Sequence, residues 1–113
     1  MDPADDALRL DNDTRAFAVQ LFAALAHPTR LRMVELLTTR YYSVSEIAHH
    51  LGILQPNASQ HLAVLSRAGL VSARPDGLTR LYSLRGPRIA AILLLVDEFR
   101  RAHGRDVAHS ESK

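Results

Sequence analysis

Apolar residues along the chain fall mostly at helical spacing. Residues 1–12 are polar, Asp-rich and without apolar period, which predicts a loose arm. Asp13 or Thr14 can cap a first helix from Thr14 to Ala26. Between Ala16 and Ala26 only Gln20 is polar, and a helix apolar all round must be covered on more than one face. Pro28 fits the first turn of a second helix, whose apolar face is Leu31, Met33, Val34, Leu36 and Leu37 and whose end is Arg40-Tyr41-Tyr42. Ser43-Val44-Ser45-Glu46 is an S-x-x-E capping box, and it predicts a short third helix with Val44, Ile47, Ala48 and Leu51 inside and Gly52 as its left-handed stop. A link, Ile53-Leu54-Gln55, leads to a fourth helix from Pro56 to Ala68, ended by Gly69. Ala58, Leu62 and Leu65 share one of its faces; Asn57, Gln60, Val64 and Arg67 take the other.

Two short strands follow, Leu70 to Arg74 and Arg80 to Leu84, with Pro75-Asp76-Gly77 as the turn signal. Gly86-Pro87 then breaks the chain and starts a fifth helix, Pro87 to His103. Its residues Ile89 to Val96 are eight consecutive apolar positions. On a helix these point in every direction, so one face packs on the domain and another needs a partner. The pattern divides the chain into an acidic arm at 1–13, expected to be disordered, one folded domain at 14–103, and a polar tail at 104–113, expected to fray.

Composition narrows the classes. The 113 residues suit one domain. There is no cysteine, so disulfides, thiolate-bound metals and cysteine nucleophiles are excluded. No apolar run reaches the ~18 residues of a membrane span, and the N-terminus lacks an apolar signal core, so the expected location is cytoplasmic, with no membrane partner. The net charge is only +2, but it is unevenly placed. Residues 1–13 carry five Asp against one Arg, whereas residues 14–113 carry 13 basic and 7 acidic side chains. A basic body with an acidic arm suits a polyanion. No Gly-rich phosphate loop, nucleophile elbow or H-E-x-x-H helix accompanies the Ser, His and Asp residues. An enzyme is therefore the rival from another class, to be favoured only by a titratable cluster in a pocket.

The third and fourth helices meet the requirements of a helix-turn-helix: a short capped helix, a glycine in the turn, and a second helix opening with Pro and small polar residues. The hairpin after them makes a wing. Residues 22–84 resemble the ArsR/SmtB family of winged helix-turn-helix repressors. The matching stretches are Leu25-Ala26-His27-Pro28-Thr29-Arg30-Leu31-Arg32, Ser45-Glu46-Ile47-Ala48 with Leu51-Gly52, Ser59-Gln60-His61-Leu62 with Leu65, Ala68-Gly69-Leu70-Val71, and Gly77 through Leu84. The resemblance implies a mainly α fold of about five helices plus a small β-hairpin. It also implies a homodimer built from the first and last helices, and the excess apolarity of both helices supports this independently. Phe17, Leu21, Ile92, Leu93, Val96 and Phe99 are the candidate interface residues. The expected function is sequence-specific binding of double-stranded DNA at an inverted-repeat operator, as a repressor. The same fold working with a separate sensor protein is the alternative.

Gln55, Asn57, Ser59 and Gln60 are the candidate base-edge or phosphate contacts, since amides can read adenine bidentately. Arg67, Arg74 and Arg80 are the candidate backbone contacts. The bland alternative for all seven is simple solvation. His61 flanks the buried face and suits packing or hydrogen bonding better than base contact. Arg30 and Arg32 suit ion pairing or snorkelling.

The sequence departs from metal-sensing relatives. Arsenic-type sensors carry paired cysteines on the helix that here begins Ser43-Val44-Ser45. The positions matching the zinc-type ligands on the last helix fall on Gly86, Arg88, Phe99 and Ala102, none of them a ligand. His103, Asp106 and His109 recur every three residues, and such N/O donors suit Ni or Zn. Asp97 and Glu98 lie near them in sequence. A solvated polar tail is the competing reading.

Overall fold

A computed structural model describes residues 3–104. After a short 3-10 turn at Pro3–Asp6 come α1 (Asn12–Leu25), α2 (Pro28–Leu37), β1 (Tyr42–Ser43), α3 (Val44–Leu51), α4 (Gln55–Arg67), β2 (Val71–Asp76), β3 (Thr79–Leu84) and α5 (Arg88–Phe99). A π-helical turn, Arg100–Gly104, continues α5. The three strands form one antiparallel sheet in the order β1-β3-β2. Five helices and this small sheet make a winged helix-turn-helix.

Most helix ends follow from local chemistry. Asp11, rather than Asp13 or Thr14, caps α1: its Oδ1 accepts the Thr14 N–H at 2.7 Å, so the helix starts two residues early. His27 caps α2 through Nδ1, which accepts the Thr29 N–H at 3.1 Å. In the capping box of α3, Glu46 N–H donates to Ser43 Oγ at 3.2 Å and Ser43 N–H donates to Glu46 Oε1 at 2.9 Å. The second bond holds the Glu46 carboxyl below its ordinary value, so this part of the box is intact at neutral pH and is lost as pH falls through the carboxylate range. Ser43→Ala removes the acceptor for an orphan amide, and urea unfolding is expected to show a loss of about 0.5–2 kcal/mol. A midpoint equal to wild type would contradict this assignment of the cap. Gly52 ends α3 at φ +66°, a left-handed stop that favours glycine.

The core lies where α2, α3, α4 and the sheet meet. Met33, Val34, Ile47, Leu62, Leu65, Leu70 and Val71 are its largest fully buried side chains. Leu31 and Val44 pack on it only half-buried. The wing strands run to a two-residue turn, Gly77-Leu78, because Asp76 pairs with Thr79 and Pro75 with Arg80. The turn is thus shorter than Pro75-Asp76-Gly77 predicts, with φ +62° at Gly77. The sheet also gains β1, which the hydropathy pattern does not predict. Tyr42 and Ser43 pair with Tyr82 and Leu81.

No residue of α5 is buried within the chain. A cleft of about 580 Å³ separates it from α2, with Leu31, Glu35, Thr38, Ala90 and Leu93 among its walls. Among the described residues, no helix is long and apolar enough to cross a membrane.

Candidate nucleic-acid interface

The turn between α3 and α4 is closed by backbone bonds, with Ile53 N–H donating to Ala48 O at 3.0 Å and Ala58 N–H to Leu54 O at 3.1 Å. Leu54 caps α4 without a side-chain bond, so Gln55 is already helical, one residue earlier than the proline alone predicts. Burial of Ala58, Leu62 and Leu65 against the core fixes the rotation of α4. Gln55, Asn57, Ser59, Gln60 and Arg67 are all exposed as a result. Gln60 and Arg67 lie opposite the buried stripe, with Asn57 and Ser59 towards its flanks. No acidic residue occurs anywhere in α4.

The wing does not bring its two arginines together. Directly paired residues of an antiparallel ladder share a face. Arg74 pairs with Leu81, and Arg80 with Pro75, so their side chains leave opposite faces of the hairpin. Arg80 shares its face with Tyr82, which packs against the core. This is the side turned to the helices. Arg74 stays on the outer face, where its guanidinium carbon lies 4.7 Å from the centre of the Tyr41 ring. Tyr41, half exposed, is a contact that sequence reasoning missed; the only local signal is an aromatic beside β1 with an arginine on the same face. Arg40 stacks in the same way on buried Tyr42, at 3.9 Å.

The remaining candidates separate into two groups. Phe17, Val96 and Phe99 are exposed, while Leu21, Ile92 and Leu93 are half-buried, and Leu21 and Leu93 pack on the core. Phe17 also meets the α4–β2 turn: its ring lies 3.7 Å from where a side chain at Gly69 would begin. Exposed apolar residues beyond the predicted set are Val19 and Phe22 on α1 and Leu94 and Leu95 on α5. His103 lies against the Phe99 ring at 5.1 Å, and Asp97 is held by Arg101 at 2.9 Å. Asp106 and His109 lie outside the described residues, among which no group of three His, Asp or Glu side chains could hold a metal.

Three likenesses bear on this geometry. A family model described as "Bacterial regulatory protein, arsR family" matches residues 27–73. Over 75 residues the chain is 47% identical to "Uncharacterized HTH-type transcriptional regulator Rv0081" of Mycobacterium tuberculosis. That alignment covers 66% of this chain and spans 66% of the relative's length. The crystal structure of Rv0081 superposes with a TM-score of 0.70 at 38% identity, covering 86% of this chain and 95% of that one. The solution structure of the homodimeric winged helix-turn-helix DNA-binding domain Mb0332 from Mycobacterium bovis superposes with a TM-score of 0.73 at 28% identity, covering 86% and 94%.

Proposed function

Because the chain belongs to the ArsR family of bacterial regulatory proteins, we propose that it is a homodimeric transcriptional repressor that reads an inverted-repeat operator with α4 and the wing. The observation that carries this reading is the exposed, acid-free face of α4, presented by a capped α3 and a glycine-containing turn. Mb0332, whose domain is homodimeric and DNA-binding, supports the dimer, as does the apolar surface of α1 and α5. In a two-fold dimer the two α4 helices enter successive major grooves, so half-sites should lie about one helical turn apart. Gln60 and Asn57 read base edges, Arg67 and Arg80 contact phosphates, and Arg74 reaches the backbone from its seat on Tyr41.

Selection from a random duplex library, followed by anisotropy titrations at several salt concentrations, tests the assignment. Gln60→Ala should relax the preference at one position per half-site by about 1–3 kcal/mol. Arg80→Ala should weaken all duplexes alike and flatten the salt slope by about one counterion per contact. An Arg80→Ala protein that changed its preferred bases and kept its salt slope would reverse the roles of wing and helix.

A further inference from the structure

His27, Arg30 and His61 meet where the end of α1, the start of α2 and the middle of α4 come together. All three are half-buried. The two imidazole rings lie with centres 4.5 Å apart, tilted by 49°. Arg30 ties the helices across this point: its Nε donates to Ala24 O and its Nη2 to Ala23 O, both in the last turn of α1. Its Nη1 lies 3.4 Å from His61 Nδ1.

The chemistry assigns both ring nitrogens. A guanidinium is always protonated and only donates, so His61 Nδ1 must accept. His27 Nδ1 accepts the Thr29 amide. Each ring therefore carries its single proton on Nε2 and must be neutral to make its bond. Protonating His61 turns an N–H towards Arg30, with the second imidazole beside it. The titratable or charged groups facing His61 are His27, from the α1–α2 junction, and Arg30, from α2. α1 contributes only the Ala23 and Ala24 carbonyls, already engaged by Arg30, and no carboxylate is among the groups acting on His61. Burial first, then these two neighbours, hold the His61 imidazole below its ordinary value.

We propose that the His27–Arg30–His61 cluster is a proton-sensitive joint, at which proton uptake by His61 loosens α4 from the α1–α2 junction and weakens DNA binding in acid. The loosening stands on the geometry alone, whereas the effect on DNA rests on the function proposed above. The sign follows from linkage. A histidine whose folded-state value is depressed takes up protons more readily when unfolded. The stability it contributes is complete above the ordinary value of 6.5 and is lost as pH falls from there towards its own lower value.

His61→Gln separates the two parts. An amide oxygen accepts from Arg30 and never ionises. The urea midpoint of the wild type should fall between about pH 7.5 and about pH 5.5, and that of His61→Gln should fall less; equal falls would overturn the joint. If the variant does not fold, proton–nitrogen correlation spectra of the wild type decide. His61 should carry its proton on Nε2 at neutral pH and titrate below an ordinary histidine. A proton on Nδ1, or titration at or above the ordinary value, would overturn the proposal. At fixed salt, wild-type affinity for the selected duplex should weaken in acid and that of His61→Gln should hold. Wild-type binding that strengthened in acid, as added positive charge alone would make it, would remove the coupling to DNA. Equal weakening of both proteins would remove it too. Failure of any duplex to bind at neutral pH would overturn the DNA-binding reading, with the midpoints and spectra still deciding the joint.

Discussion

Leu62→Ala is expected to destabilise the protein by about 2–5 kcal/mol. Leu62 has no exposed surface and sits on the inner face of α4, in one core cluster with Met33, Ile47 and Leu65. Truncation loses the transfer energy of the removed carbons and leaves a cavity that α2 and α3, held by their own caps, can close only in part. Against the roughly 5–15 kcal/mol of a typical domain this is a large fraction. The thermal midpoint should fall by on the order of 10 °C or more. The urea midpoint should fall with an unchanged slope, because the surface exposed on unfolding is nearly the same. Two residues away, Gln60→Ala is expected to stay within about 0.5 kcal/mol of wild type, since Gln60 is exposed. A Leu62→Ala protein as stable as Gln60→Ala would show that α4 is not seated on the core as described.

Val96→Glu with Phe99→Glu is expected to turn a dimer into a monomer. Val96 and Phe99 are 61% and 67% exposed on α5, as are Leu94 and Leu95 at 63% and 62%, and Phe17, Val19 and Phe22 are exposed on α1. Soluble monomers rarely carry contiguous apolar patches above a few hundred Å², whereas a stable dimer interface covers roughly 1,200–2,000 Å². Two carboxylates per protomer in that patch must be desolvated without partners, at a cost of several kcal/mol each. Light scattering should give twice 12.5 kDa for the wild type and 12.5 kDa for the variant. The far-ultraviolet spectrum should be little changed, since both side chains leave the chain's own core intact. DNA affinity should drop by about 10²–10⁴-fold, because each half-site is then bound without the linkage that makes the second contact intramolecular. A wild-type protein of 12.5 kDa at every concentration would remove the dimer and, with it, the inverted-repeat operator.

The elements legible beforehand are those decided within a few residues. Ser43 and Glu46 close a capping box at fixed spacing, Gly52 readily adopts the left-handed backbone that stops α3, and the spacing of Ala58, Leu62 and Leu65 turns Gln60 and Arg67 outward. Where several local solutions compete, the sequence alone leaves the choice open. Asp13 or Thr14 is the expected cap of α1, whereas Asp11 takes the role because its Oδ1 accepts the Thr14 N–H, so the helix starts at Asn12.

What the chain by itself determined, then, is the order of helices and hairpin, the inner and outer faces of α4, and the excess of apolar surface on α1 and α5. Helix periodicity and capping are short-range effects, and they are written in adjacent residues. Tertiary structure alone decided the rest. β1 exists because β3 has an open edge for Tyr42 and Ser43, a pairing across some forty positions that no local pattern encodes. The wing register sends Arg74 to Tyr41 and Arg80 to the opposite face, since pairing rather than proximity in sequence sets the face of a strand residue. His61 meets Arg30 across thirty-one positions, because the packing of α4 on the α1–α2 junction brings a ring acceptor to an obligatory donor.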